Sequence, residues 1–227
     1  MDFNLTSEQR MAVESAQKMA ARDIQPVLDA HDPDTPLPKE AMKGLLQICA
    51  GQGLTSARVP ESAGGAGIPT LLFGLMFEQI PPVVTFAIVG QEATAARIAL
   101  ESTPEQRERL LPDLIAAKRI ACTGSTEPDV GSDARGIKTR VTEDGDHLVV
   151  NGDKMWITNA SICDVINITG TLGQDDQGRN QIVRVVVDRD QSPFTSSKTP
   201  CLGFCQGHLG EVHFDNCRVP KENRLGS

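Results

Sequence analysis

Two short segments carry the residue types that would hold a planar, polar ligand. In the first, Gly124-Ser125-Thr126-Glu127-Pro128 reads as a strand end turning into a loop that holds Gly131 and Ser132. Pro128 fixes one backbone torsion, and Gly131 lets the main chain approach a ligand closely. Hydroxyls at Thr123, Ser125, Thr126 and Ser132 supply donors and acceptors without charge, which suits the polar rim of a heterocycle or a phosphate oxygen. Turn loops are rich in the same residues, so an ordinary turn is the competing account.

The second segment is Lys154-Met155-Trp156-Ile157-Thr158-Asn159. Side chains alternate along a strand, so Trp156 and Thr158 are expected on one face. A flat aromatic body beside a hydroxyl would cover a planar ring and bond its edge. The alternative is a Trp packed in a β-core. The chain has a single Trp and no Tyr, so this position is singular.

The elements that must position these segments change character along the chain. Thr6-Ser7-Glu8-Gln9 has the form of a capping box ahead of a helical run from Met11 to Leu28. Pro36 and Pro38 break the chain, and a short helix follows from Glu40 to Cys49. Apolar stretches from Leu71 to Ile80 and from Val83 to Leu100 continue the helical part. Thr103-Pro104-Glu105-Gln106 opens another helix, with an N-cap, Pro at its first position and an acid near its positive end. Gly64 to Gly67 lacks the preceding strand and the Lys-Ser/Thr ending of a phosphate loop and reads as a turn between helices.

From Ile120 onward the signals are those of strands. Asp144-Gly145 and Asn151-Gly152 read as tight turns; Ile137–Val141, Leu148–Val150, Val165–Thr171, Ile182–Val187 and Val212–Phe214 read as strands. The expected class is α+β: a helical domain over 1–120, then an antiparallel, β-barrel-like domain over 121–227.

A net charge of −8 argues against nucleic acid, whose phosphates need a basic surface. Anionic small ligands stay open, because backbone N–H groups and a few cations can hold a phosphate. No run of eighteen apolar residues is present, so no membrane span is expected. Met1-Asp2-Phe3-Asn4 lacks a leader pattern, so the expected location is cytoplasmic. The six cysteines are expected as free thiols. Cys201, Cys205, His208, His213 and Cys217 are zinc-type ligands without zinc-site spacing, and no metal site is expected from them.

The order Thr126-Glu127-Pro128-Asp129-Val130-Gly131-Ser132-Asp133, then Lys154 to Asn159, then Asp215-Asn216-Cys217-Arg218-Val219-Pro220-Lys221-Glu222-Asn223 resembles the first two domains of the acyl-CoA dehydrogenase family over their whole length. Asp129 stands where that family often has Gly. The resemblance implies FAD as cofactor. It places Thr123, Gly124, Ser125, Thr126, Gly131, Ser132, Trp156, Ile157 and Thr158 in its site, with Ser132 also near the acyl-CoA thioester. It further implies that FAD takes hydride from the acyl β-carbon while a carboxylate removes the α-proton. That carboxylate comes from a further helical domain in the family, so no catalytic residue is assigned among these 227 residues. Glu127 is read as structural, and Glu78 and Glu92, in helical stretches, as solvated or buried and paired. The position of Ala87 to Gln91 suggests a wall of the acyl pocket.

The function expected is α,β-dehydrogenation of an acyl-CoA in fatty acid metabolism, with an electron-transfer flavoprotein as acceptor and a homotetramer as the working form. The alternatives are a non-catalytic or partner-dependent acyl-CoA or flavin-binding module, and an oxygen-using relative such as a flavin monooxygenase or nitroalkane oxidase.

Overall fold

The computed structural model describes residues 4–226. Met1-Asp2-Phe3, which carry most of the leader argument, and Ser227 lie outside the described residues. Helix α1 (Ser7–Met19) starts at the expected capping box: Gln9 N–H donates to Thr6 Oγ1 at 3.2 Å and Thr6 N–H to Gln9 Oε1 at 2.9 Å. A wider, π-helical turn (Ala20–Ile24) then leads into α2 (Gln25–Asp29). That turn ends two residues before Pro26, whose ring and missing N–H a regular helical turn does not accommodate. Helices α3 (Lys39–Ala50), α4 (Thr70–Phe77), α5 (Pro82–Glu101) and α6 (Pro104–Ile115) follow.

α5 is the central helix. An eighteen-residue window of it has mean hydropathy 1.3, enough by length and composition to cross a membrane, yet 67% of that window is buried inside the protein. A helix apolar nearly all round belongs in a core. Gln91, Glu92 and Thr94 are the polar residues buried with it.

The strands are β1 (Ala121–Gly124), β2 (Arg140–Asp144), β3 (His147–Thr158), β4 (Val165–Gln174), β5 (Asn180–Asp188), β6 (Thr195–Lys198), β7 (Leu209–Pro220) and β8 (Arg224–Leu225). They form one sheet in the order β6-β7-β3-β2-β4-β5-β8, with β1 also on β4. Pairing is mostly antiparallel, but β1 runs parallel to β4. The barrel-like expectation needs correction: the sheet is open, with β6 and β8 at its two ends. One apolar cluster joins Ile24, Met42 and Ile88 of the helices to Cys122, Ile166 and Phe214 of the strands, so both halves share a core.

Asp144-Gly145 is a true turn, with Gly145 at φ 63° between β2 and β3. Asn151-Gly152 is not. β3 continues through it, and the register against β7 shifts between Val150 and Gly152. Gly152 is at φ 148°, and a Cβ there would lie 2.6 Å from Thr139 Oγ1. The glycine therefore serves a bulge against a neighbouring strand start rather than a chain reversal.

Candidate functional site

Two strands share one edge of β4. β1 occupies its beginning, with Gly124 opposite Ile168, and β2 meets it further on, with Arg140 opposite Thr171. The stretch 125–139 bridges the space between them and holds the first motif. Its Glu127 and Val130 exchange main-chain hydrogen bonds at 2.9 and 3.1 Å, closing a small loop around Pro128 and Asp129.

Beneath the loop lies Lys154, fully buried on β3. Its Nζ donates to Glu127 Oε1 at 2.7 Å and to the Thr169 carbonyl at 2.6 Å. The Glu127 carboxylate also accepts Lys138 N–H at 2.7 Å and Thr139 N–H at 3.0 Å, joining the two ends of the stretch. Burial alone would raise the Glu127 carboxyl, but the Lys154 ammonium and these N–H donors outweigh it and hold it below the usual carboxylate range. Burial pulls the Lys154 ammonium down, partly offset by its Glu127 partner. Met155 N–H donates to the Thr126 carbonyl at 3.0 Å, which lays the second motif beside the first.

Trp156 and Thr158 keep the expected alternation about the buried Ile157, but an irregularity in β3 precedes them. The register against β7 shifts again between Lys154 and Ile157, and Trp156 stands at φ 59°. The extra residue breaks the period-two alternation between the buried Lys154 and Trp156. Trp156 is consequently 56% exposed, Ile157 is buried in the core and Thr158 is half-buried. Ile157 can present only its main chain to a ligand. A bulky residue in the left-handed region costs on the order of 1–2 kcal/mol, and the bulge spends that strain on holding an indole outward.

The hydroxyls divide into two groups. Thr123 Oγ1 lies 2.9 Å from Thr94 Oγ1 of α5, and Ser125 Oγ lies 3.1 Å from Thr169 Oγ1, so these two are engaged within the protein. Thr126, Ser132 and Thr158 have no hydrogen-bonded side-chain partner among the described residues, and none of the three is buried. An exposed aromatic face with unpaired hydroxyls around it is a donor and acceptor set fitted to a planar heterocycle. Gly124 is buried, and a Cβ there would meet Ile166 Cδ1 at 3.0 Å and Lys154 Cγ at 3.3 Å, so its role is close packing. Gly131 is exposed and open around its Cα.

Of the stretch Ala87 to Gln91, only Val89 is exposed; the others lie in the core. Gly90 packs against β3, where a Cβ would come within 3.3 Å of Thr158 Cγ2. Phe86 stacks on Phe204 with ring centroids 5.6 Å apart, extending an apolar wall from Val89. Asn159 closes the motif by donating to Ala87 O of α5 at 2.9 Å and to Ala121 O of β1 at 3.2 Å.

Beyond Ser132 the chain lines a cleft of about 600 Å³ with Ile137, Lys138, Arg140, Gln174 and Asn180. An adjoining one holds Asp133, Arg135, Arg179 and Asn180. The guanidinium groups of Arg135 and Arg140 make no ion pair among the described residues, whereas Arg179 pairs with Asp175 and Lys138 with Asp129. Sequence reading passed over this basic group. Its signal was available: cations at 135, 138 and 140 in a chain of net negative charge.

The acids flagged in the sequence are otherwise employed. Glu127 is in the buried pair, Glu92 is buried against the Arg58 guanidinium and its N–H, and Glu78 is exposed at the end of α4. Among the described residues, no three His, Cys, Asp or Glu side chains group as metal ligands.

Residues 122–217 match the model of the acyl-CoA dehydrogenase middle domain, and residues 6–118 match that of the N-terminal domain. The chain belongs to the acyl-CoA dehydrogenase family. It is 30% identical over 231 residues to the probable acyl-CoA dehydrogenase YngJ of Bacillus subtilis, covering 100% of this chain and 60% of that protein. Among solved structures, a glutaryl-coenzyme A dehydrogenase in complex with glutaryl-CoA superposes with TM-score 0.87 at 28% identity, over 100% of this chain and 58% of that one. A glutaryl-CoA dehydrogenase from Mycobacterium smegmatis in complex with FADH2 gives 0.84 at 26% identity, over 98% and 56%. The chain thus spans about 60% of the length of the family members it matches.

Proposed function

We propose that this chain supplies the flavin and acyl-thioester contacts of an FAD-dependent acyl-CoA dehydrogenase. The observation that carries the reading is Trp156, held outward on a strained bulge directly beside the Thr126 loop. In that reading the Trp156 ring covers the flavin and Thr126 and Thr158 bond its edge. Thr123, Gly124, Ser125, Gly131 and the Ile157 main chain shape the rest of the cradle. Bound FAD would supply two-electron oxidation of the acyl thioester. Ser132 would lie toward the thioester, and the Phe86, Val89 and Phe204 wall would take apolar acyl carbons. The phosphates of the coenzyme A would meet the basic cleft at Arg135 and Arg140, where charge complementarity favours them.

No carboxylate of this chain is assigned the α-proton, so the base would come from outside it. An electron-transfer flavoprotein as acceptor and a homo-oligomeric assembly belong to the same proposal. The test is FAD titration of the protein, followed by quenching of Trp156, its single tryptophan. Saturable quenching that short-chain or long-chain acyl-CoA modifies is expected. No quenching at millimolar FAD would overturn the reading.

A further inference from the structure

The Lys154–Glu127 pair belongs to no role assigned so far. Its side chains are 0% and 4% exposed. A buried ion pair rarely stabilises a fold more than apolar side chains of the same volume would. Stability therefore does not account for it, and its connections do. Glu127 follows Thr126 directly, and Lys154 stands just ahead of Met155-Trp156. The carboxylate gathers N–H groups from residues 138 and 139, and the ammonium reaches the Thr169 carbonyl in the space between β1 and β2. Four separate pieces of chain thus converge on one pair: the loop start, the loop end, β3 and β4. The main-chain bond from Met155 to Thr126 is 3.0 Å long, and it sits between the pair and the bulge.

We propose that Lys154 and Glu127 are positioning residues, which fix the hydroxyl-bearing loop edge at Thr126 against the indole of Trp156 so that one planar ring can meet both. The inference rests on the flavin reading above. Neither side chain touches the ligand; each acts through the residue beside it. Without the ammonium, the loop loses its buried side-chain tie to β3 and to the Thr169 carbonyl, and only the Met155–Thr126 and Ser125–Thr169 bonds still hold Thr126 toward Trp156. The bulge at Trp156 would then lose part of the support that the loop gives it beside its pairing with β7, and shift toward regular strand geometry.

The test uses Lys154→Met, Glu127→Gln and the double variant in the full chain. Lys154→Met strands a buried carboxylate and is expected to melt lower; the double variant carries no unpaired charge and restores folding. FAD affinity from Trp156 quenching is then compared with melting temperature. The expected result is a double variant that melts near the wild type yet binds FAD at least tenfold more weakly. Its quenched Trp156 emission is also expected to shift relative to the wild type. A double variant with wild-type melting and wild-type FAD affinity would overturn the positioning role. If the wild type itself fails to bind FAD, the flavin reading falls and this inference falls with it. The two failures are therefore distinguishable.

Discussion

Gln91 of α5 accepts the N–H of Ala121, the first residue of β1, at 2.7 Å. The same side chain donates to Leu114 O at 2.7 Å and Arg119 O at 3.0 Å, where α6 ends and the chain crosses toward the sheet. A fully buried amide thus holds the start of the strand that leads into the Thr126 loop. Both its N–H groups and its carbonyl oxygen are engaged, in a place water does not reach.

Gln91→Leu keeps the volume and removes those bonds, leaving the Ala121 N–H and the Arg119 carbonyl without the amide, while Leu114 O keeps the Ala117 N–H. Each such group costs roughly 1–3 kcal/mol, so a loss on the order of 3 kcal/mol is expected. For a chain of this size that lowers the melting temperature by roughly 6–12 °C. A variant that melts with the wild type would show that the crossing is held by apolar packing instead.

Trp156 offers two substitutions with opposite consequences for the fold. Both Trp156→Ala and Trp156→Gly remove the ring, and both are expected to weaken FAD binding. Only glycine tolerates φ 59° without cost, so Trp156→Gly should be about 1 kcal/mol more stable than Trp156→Ala. Denaturant titration of the two variants measures the difference. Equal stabilities would mean that the bulge is set by pairing with β7 and not strained at this residue.

The sequence made the helices legible because their ends are written locally. Thr6 and Thr103 each cap a helix with a Gln three residues on, and both boxes form as spacing predicts. Long strands such as Val165–Gln174 were equally plain in their β-branched runs. Short edge strands at Thr195–Lys198 and Arg224–Leu225 carried no such run and were not foreseen. The bulges were missed for a different reason. Asn-Gly has the same local preference in a hairpin and in a bulge, and only the approach of Thr139 to Gly152 decides which one forms. Trp156 stands out in the sequence as its single Trp, but its orientation depends on pairing with β7, a strand distant in sequence. The basic cleft depends on the β4–β5 hairpin folding back onto residues 135–140, which no local pattern states.

His208 ties the two halves of the fold together and supplies a pH dependence. Leu37 O, 2.9 Å from Nε2, can only accept, so Nε2 carries the proton and Nδ1 accepts from the Ser161 hydroxyl at 2.9 Å. Burial holds its pKa below the ordinary histidine value of about 6.5. The unfolded chain therefore binds a proton more readily than the folded one. Stability from this site is present above about pH 6.5 and declines as pH falls below it, levelling off only beneath the folded pKa. Melting temperatures measured from pH 7.5 to 5 should show this loss in the wild type and a flatter curve in His208→Gln. Parallel curves would place the titrating group elsewhere.

Gly152 tests whether the bulge in β3 and the Glu127 carboxylate form one mechanical unit. A Cβ at 152 would lie 2.6 Å from Thr139 Oγ1 and 2.8 Å from Thr139 Cα, so backbone and not a flexible tip must yield. Thr139 N–H is one of the donors that hold Glu127. Displacing it should loosen the loop end as well as the strand. Gly145, at φ 63° with open space around its Cα, provides the control. Gly145→Ala carries only the left-handed backbone penalty of about 1–2 kcal/mol. Gly152→Ala adds the clash and is expected to cost a few kcal/mol more, within the range of severe single substitutions. It should also alter Trp156 emission, whereas Gly145→Ala should leave that emission unchanged. If both variants lose the same stability and neither moves the Trp156 signal, the bulge and the loop are mechanically independent.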